Sequence, residues 1–222
     1  MNRLPKPNYQ KQLDAILVGI EKRYELAPGR KQTLLLHACC APCSSYVLEY
    51  LASYFEITVY YYNPNIYPPE EYSRRLGELQ NFLPVFPPAV QNNVKLVTAQ
   101  YNPQEYDNAV QIEKTPELAD EPERGERCSR CYLLRMKKAY EYAAAGGFDW
   151  FTTTLSISPF KDAEKINAIG YGLQTAKGPK FLTSDFKKKS GFLRSLELSG
   201  EFSLYRQQYC GCRYSLKNTH HT

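Results

Sequence analysis

Short apolar stretches alternate along the chain with longer segments in which apolar residues recur at helical spacing. Residues 34–38 form a mainly apolar run, which is typical of a parallel strand covered on both faces. The next stretch, residues 56–62, is rich in β-branched and aromatic side chains, which favour strands. Three more strands are predicted at residues 94–99, 150–155 and 181–182.

Predicted helices lie between these strands. Residues 8–24 have an amphipathic pattern, whereas the charged residues 113–127 predict an exposed loop. The alternation of strands and helices indicates an α/β fold with a mostly parallel sheet and helices on both faces. We expect an N-terminal helical extension, residues 1–31, and a single α/β catalytic domain, residues 32–222, which ends in a basic and aromatic helical segment. The other helices are predicted at residues 42–54, 68–82, 102–110, 128–145 and 162–176.

Length and charge narrow the class of protein only slightly. The 222 residues are enough for one sizeable core, and 28 basic against 23 acidic residues give a net charge of +5. This bias permits nucleic-acid binding without demanding it. Nineteen tyrosines suit the rim of a site that stacks on bases, although tyrosines also commonly fill the boundary of a core. Without a visible signal peptide or membrane span, we expect a cytoplasmic protein.

The seven cysteines are more informative about function than length or charge, because they are clustered as CCxxC, CxxC and CxC. In a reducing cytoplasm, clustered thiols more often indicate metal or redox chemistry than structural disulfides. The first group directly follows the first predicted strand, and the second opens a predicted helix. The groups are Cys39, Cys40 and Cys43; Cys128 and Cys131; and Cys210 and Cys212.

Two kinds of chemistry are open to these thiols. Four thiolates can hold zinc or an iron–sulfur cluster. Adjacent cysteines such as Cys39 and Cys40 bind one small ion only with strain but can reach different irons of a cluster, which favours iron–sulfur over a structural zinc site. Cys210 and Cys212 can form a strained, easily reduced disulfide, while cluster ligands or inert thiols remain the alternative interpretations.

The chain from residue 184 onward mixes basic and aromatic residues. Such a mixture suits a phosphate backbone and stacked bases, although a lysine run is usually a solvated face. Asp185 lies in this region and is a candidate proton donor, with an N-cap or a salt-bridged aspartate as the competing interpretation. The candidate RNA-binding residues are Lys187, Lys188, Lys189, Arg194, Tyr205 and Arg206.

Five segments together form a specific pattern. They are LLLHACCAPCSSY at 34–46, CSRCYLLRM at 128–136, FTTTLSISPFK at 151–161, FLTSDFKKKSGFLRS at 181–195 and ELSGEFSLYRQQYCGC at 197–212. In these segments the chain resembles the QueH family of epoxyqueuosine reductases. The resemblance covers nearly all of the chain between them, whereas residues 1–31 match nothing.

The resemblance implies a cobalamin-independent enzyme that reduces the epoxide of epoxyqueuosine to the cyclopentene of queuosine, the last step in making this wobble base of tRNA. It further implies a fold like the nucleotide α-hydrolases (HUP-like), an unidentified electron donor and a [4Fe–4S] cluster. Carried over residue by residue, Cys210 and Cys212 match a redox-active pair. An additional iron is an option in the family, and Cys43, where some relatives have an acidic residue, is its candidate ligand. The implied cluster ligands are Cys39, Cys40, Cys128 and Cys131.

Two other functions compete with this interpretation. A tRNA-thiolation enzyme of the nucleotide α-hydrolase type would bind ATP through a glycine-rich loop after the first strand. That place holds Ala38-Cys39-Cys40-Ala41, which makes ATP binding doubtful. The second alternative is a non-catalytic zinc protein that binds RNA.

Overall fold

Five parallel strands form one sheet in the computed structural model, which describes residues 7–26 and 29–218. In chain order they are β1 (Thr33–Ala38), β2 (Glu56–Tyr61), β3 (Lys95–Thr98), β4 (Trp150–Thr153) and β5 (Lys180–Phe181). The order across the sheet is β3-β2-β1-β4-β5, and every neighbouring pair is parallel. The predicted α/β fold with a parallel sheet is therefore confirmed.

A short helix at Pro87–Gln91 was not predicted, and the other helices occupy the predicted segments, with ends shifted by a few residues. Asn102 and Asp162 start two of them as N-caps, because their side chains accept hydrogen bonds from backbone N–H groups of the first turn. Within the described residues, no helix is both long and apolar enough to cross a bilayer. The helices are α1 (Tyr9–Leu26), α2 (Ala41–Leu51), α3 (Pro69–Phe82), α4 (Pro87–Gln91), α5 (Pro103–Val110), α6 (Glu126–Ala145), α7 (Ala163–Leu173), α8 (Gly191–Glu201) and α9 (Arg213–Asn218).

Strand β1 is covered on both faces, which explains its unbroken apolar run. Leu34 and Leu36 pack into one core cluster with residues of α1, α2 and α3. Leu35, which points to the opposite face, packs into a second cluster with residues of α6 and α7. Leu13 of α1 belongs to the first cluster. Helix α1 therefore packs on the core of the α/β domain, and the proposed boundary at residue 31 stays a prediction.

The prediction of an exposed loop over residues 113–127 is wrong at the C-terminal end of that segment. Arg127 is buried, and α6 begins at Glu126 rather than at Cys128. The reason is a side-chain cap, in which the Glu121 carboxylate accepts hydrogen bonds from the backbone N–H groups of Glu126 at 2.7 Å and Arg127 at 2.8 Å. A charged sequence does not show that one of its acids caps a helix five residues later.

A pair of substitutions in α1 tests whether this helix contributes to the core. Leu13 is fully buried, whereas Val18 on the same helix is 48% exposed. Leu13→Ala should lower the free energy of unfolding by about 2–4 kcal/mol, because it removes buried methyl groups and leaves a cavity. Val18→Ala should change it by less than about 0.5 kcal/mol. Equilibrium urea denaturation measures both; equal, small effects would mean that α1 is only loosely attached.

Candidate active site

A crevice lies at the carboxyl ends of the neighbouring strands β1 and β4, where the strand order reverses. The chain goes from β1 to β2 and β3 on one side and then returns to β4 on the other. Open α/β sheets bind their ligands at such a switch point. Cys39 follows β1 here, and its Sγ lies 3.7 Å from Oγ1 of Thr154, which follows β4. The first cysteine group therefore lies at the expected ligand-binding edge.

His37 of β1 ties neighbouring strands together just before the cysteines. Its Nδ1 is 2.8 Å from Oγ1 of Thr153, and its Nε2 is 3.1 Å from the carbonyl oxygen of Tyr62. Burial lowers the pKa of His37 to about 3, so the ring stays neutral at physiological pH. These contacts make His37 a hydrogen-bonded core residue.

Cys39, Cys40 and Cys43 form a compact group of three thiols. Their Sγ atoms all lie within 4.8 Å of one another, because Cys40 is the N-cap of α2 and Cys43 lies on its first turn. Hydrogen bonds from Cys40 and Cys43 hold the pKa of Cys39 well below its ordinary value. The same interaction with Cys39 raises the pKa of Cys40 to about 12. Three soft donors at this spacing can hold a metal ion.

The other four cysteines line a small cavity, called here the small cysteine cavity. Cys128 and Cys131 lie one turn apart at the start of α6, and burial raises the pKa of Cys131 to about 11. Cys210 and Cys212 reach the same cavity from the C-terminal segment. Sequence spacing could not show this arrangement, because the two pairs are almost eighty residues apart.

Cys210 and Cys212 are poised as a thiol–thiolate pair. Their Sγ atoms are 3.7 Å apart, and Cys210 Sγ is 3.1 Å from the Ser215 hydroxyl. The hydrogen bond from Cys210 lowers the pKa of Cys212 to about 6 and raises that of Cys210. A thiolate beside a thiol is the reactive form for disulfide exchange.

Arg75 holds the segment that carries this pair. Its guanidinium group donates hydrogen bonds to the carbonyl oxygens of Cys210 at 3.3 Å and Tyr209 at 3.4 Å, while its Nε contacts Glu71 at 2.6 Å. The backbone N–H of Tyr67 donates to the Gly211 carbonyl at 2.8 Å. The C-terminal segment is therefore anchored to the region of α3.

A larger cavity of about 310 Å³ adjoins the small cysteine cavity and has the size of a small-molecule site. Cys210 lines both cavities and so lies between the group of Cys39 and Cys43 and the thiols of the small cavity. Cys39 and Cys43 lie in the wall of the larger cavity, as do the charged residues Glu123 and Lys161. Its aromatic and basic lining also includes Phe160, Phe192, Tyr209 and Arg206.

Buried arginines surround the cysteines, and sequence reasoning missed them. Arg75, Arg127 and Arg135 are at most 2% exposed. Among the described residues, Nε of Arg135 and Nε and Nη2 of Arg127 have no hydrogen-bond partner. Unpaired buried cationic donors are costly, so their presence beside four thiols fits an anionic, thiolate-ligated group. One signal was available, since Arg135 follows Cys131 by four residues and shares its helix face.

Asp185, the predicted proton donor, is not among the described residues that line either cavity. It is 8% exposed, and its carboxylate forms an ion pair with Lys187 at 2.5 Å. The salt-bridged interpretation of Asp185 thus has direct support in the structure, while a role in proton transfer would require it to approach the cavity.

The predicted RNA-binding residues differ in how available they are. Lys189 pairs with Asp14 at 2.8 Å, and Arg194 pairs with three acids, Glu49, Glu197 and Glu201. The Tyr205 hydroxyl donates to Glu71, and Arg206 lies over the Phe192 ring, 5.8 Å from its centroid. Lys188 is exposed and has no ion pair within the described part of the chain. Arg206 is the member of this set that lines the larger cavity.

Comparisons with known proteins show which proteins the chain is similar to. The family model of epoxyqueuosine reductase QueH matches residues 34–218. The chain is similar to epoxyqueuosine reductase QueH of Streptococcus pyogenes serotype M1, with 41% identity over 211 residues, covering 95% of this chain and 80% of the relative. It is 38% identical over 210 residues to the QueH of Staphylococcus epidermidis, covering 95% and 85%. For the QueH of Thermotoga maritima the identity is 30% over 187 residues, covering 83% and 90%.

The match to the streptococcal relative also extends into residues 1–31, since it leaves only 5% of the chain uncovered. The expectation that this segment matches nothing is therefore wrong. A helix whose buried residues are Gln10, Leu13, Leu17 and Ile20 carries no motif that a single sequence reveals.

Gly211 provides a test of how strictly the CxC loop is positioned. Its φ is +116°, and an added Cβ would lie 3.1 Å from both Arg75 Nη1 and Ile66 Cγ1. Gly211→Ala should lower the free energy of unfolding by about 1–3 kcal/mol and slow the oxidation of Cys210 and Cys212 to a disulfide by diamide. The control is Gly200→Ala in α8, where no neighbouring atom lies within 4 Å. Urea denaturation and thiol titration measure the two effects, and similar results for both variants would contradict the strained loop.

Proposed function

Because the chain belongs to the epoxyqueuosine reductase QueH family, we propose that it reduces epoxyqueuosine in tRNA with the Cys210–Cys212 pair beside an iron–sulfur cluster. It is an oxidoreductase of tRNA modification and queuosine biosynthesis. The observation that carries the proposal is the position of Cys210, which lines both the cavity of about 310 Å³ and the small cysteine cavity. A substrate in the larger cavity would therefore lie against a redox-active thiol.

The proposed ligands of a [4Fe–4S] cluster come from both sides of the site. Arg135 supports this choice, because its guanidinium group interacts with both Cys131 and Cys39. The unpaired nitrogens of Arg127 and Arg135 would compensate the negative charge of the thiolates. When bound, the cluster supplies electrons singly. The proposed ligands are Cys39, Cys40, Cys128 and Cys131.

Cys43 is proposed as a ligand of an additional iron ion. The support is the compactness of the three-thiol group, in which Cys43 contacts both Cys39 and Cys40. Cys43 also faces the larger cavity, so a metal ion held there would lie beside the substrate. A metal ion in that position would act as a Lewis acid toward the epoxide oxygen.

The residues of the chain have distinct tasks in this reaction. Reduction of an epoxide to an alkene consumes two electrons and two protons, and the oxygen leaves as water. A dithiol that becomes a disulfide supplies both electrons. The aromatic and basic wall of the larger cavity, with Phe192 and Arg206, suits a base that has been splayed out of an RNA loop. Closure around the base would exclude water from the reacting atoms.

The alternatives have less support. A thiolation enzyme would need a phosphate-binding loop after β1, whereas Cys40 forms the N-cap of α2 there, without a glycine-rich turn. A colourless zinc protein is distinguished from an iron–sulfur protein by the absorbance spectrum of anaerobically purified material. A tRNA substrate agrees with a cytoplasmic location, and the electron donor that restores the dithiol stays unidentified.

Cysteine variants separate the ligand role from the redox role. Cys128→Ala and Cys131→Ala should each remove the brown chromophore, the bound iron and the activity, because they remove cluster ligands. Cys210→Ser and Cys212→Ser should keep the iron and the affinity for tRNA but lose turnover. Ser129→Ala, on the same turn of α6, is the control and should keep both the bound iron and the activity. Iron analysis and a turnover assay with epoxyqueuosine-containing tRNA decide; loss of iron in a serine variant would make that cysteine a ligand.

Lysine variants test the proposed RNA contacts. Lys187 and Lys189 already have acidic partners, so Lys188 should contribute most to phosphate binding. Lys188→Ala should weaken tRNA binding and reduce the log–log salt slope by roughly 0.7, the value for one phosphate contact on a single strand. Replacing Lys187, Lys188 and Lys189 together by alanine should change the salt slope little more than Lys188→Ala alone. Lys177→Ala, at an exposed lysine that precedes β5, is the control, and an unchanged slope in all variants would show a merely solvated face.

A further inference from the structure

One acidic residue lines the larger cavity. Among the described residues that form its wall, Glu123 is the only carboxylic acid, and it shares that wall with the thiols of Cys39, Cys43 and Cys210. Glu123 comes from the loop that precedes α6 and is half-buried. The position is notable because the reaction needs protons on an oxygen inside this cavity.

Glu123 lies beside the redox pair. It lines the same cavity as Cys210 and interacts electrostatically with that thiol, and Cys210 is in turn hydrogen-bonded to Cys212. The carboxyl group and the two sulfurs therefore adjoin one another at the cavity wall. Lys161 lines the same cavity, and its ammonium group interacts favourably with Cys210, Tyr132 and Glu123 when they are ionised.

The surroundings favour a protonated Glu123. Burial and the neighbouring Cys210 raise the pKa of Glu123, while Lys161 and Arg127 act in the opposite direction. A carboxyl group that retains its proton closer to neutral pH is a suitable general acid. The competing acid, Asp185, is instead paired with Lys187 and does not line the cavity.

We propose that Glu123 is the general acid of this site and delivers a proton to the epoxide oxygen while Cys210 and Cys212 are oxidised. The inference rests on the proposed function, since it assigns the second proton of that reaction. It is carried by the geometry of the cavity, in which the acid, the thiol pair and the space for the substrate adjoin one another.

The step balances with the groups in the wall. The starting state holds Cys210 as a thiol, Cys212 as a thiolate and Glu123 as a carboxylic acid. Both C–O bonds of the epoxide break, a C=C bond forms and the oxygen leaves as water. Cys210 and Glu123 supply one proton each. The two electrons come from the two sulfurs, which form one S–S bond, and the carboxylate takes over the negative charge. A dithiol or low-potential reductant then restores the pair.

The first test compares Glu123→Gln with Glu123→Asp and with Glu113→Gln, an exposed acid of the same loop that does not line the cavity. Glu123→Gln should lower kcat about 100-fold or more and leave KM within about threefold, because the acid is lost but the cavity remains. Glu123→Asp should recover part of the loss, and Glu113→Gln should behave as the unchanged protein. A general acid must be protonated, so kcat of the unchanged protein should fall as pH rises through the pKa of Glu123. Glu123→Gln should lack this limb.

The second test does not depend on turnover. Iodoacetamide labelling of Cys210, followed by mass spectrometry across pH, reports the titration of its thiol. Because the pKa of Cys210 is raised, Glu123 is already ionised at the high pH at which Cys210 titrates. Glu123→Gln removes this negative charge, so half-maximal labelling should move to lower pH, whereas Glu113→Gln should not move it. Thermal unfolding of each variant verifies the fold, and Glu123→Asp serves if Glu123→Gln is unstable.

The outcomes separate this inference from the proposed function. An unchanged kcat and pH profile in Glu123→Gln, with normal reduction by the unchanged protein, would overturn the role of Glu123 and leave the function intact. An unchanged labelling profile would overturn the contact with Cys210 even if no epoxyqueuosine reduction were found. A fall in kcat together with a shifted labelling profile would support the assignment.

Discussion

The burial of β1 on both faces is the constraint on which the rest of the structure depends. A core cluster lies on each face of this strand, and β2 and β4 flank its two edges at the centre of the sheet. The resulting crevice lies at the end of β1, where Cys39 and Cys40 follow directly. Packing of ordinary leucines thus decides where the first thiols are held, and the chemistry of the site follows from the position of the core.

Charge compensation is the second requirement, since thiolates are costly to bury alone. The site meets it with guanidinium groups that are themselves almost fully buried, among them Arg127 and Arg135. Each kind of charge would destabilise the fold without the other, because removing one partner of a buried pair typically costs about 3–5 kcal/mol. Arginines and cysteines of this site therefore depend on one another, and a substitution in either group should affect both folding and chemistry.

The C-terminal segment completes the site. It supplies Cys210 and Cys212, and its loop also forms part of the wall of the larger cavity through Arg206 and Tyr209. Arg75 holds this segment through backbone carbonyl groups, and side chains of the segment add further contacts, such as that of Tyr205 with Glu71. A substrate that contacts the wall would contact the same loop that carries the redox pair, which links binding to electron transfer.

By itself the sequence determined the α/β fold, the strands, the main helices and the family, because periodic apolar patterns and clustered cysteines are local signals. The clustered cysteines also indicated metal or redox chemistry. Only the tertiary structure decided how they are grouped, since Cys128 and Cys210 meet through packing of α6 against a distant segment. It likewise decided which charged residues face the site. Glu123 and Arg135 look like surface residues in the sequence, because their burial depends on packing against residues far apart in the chain.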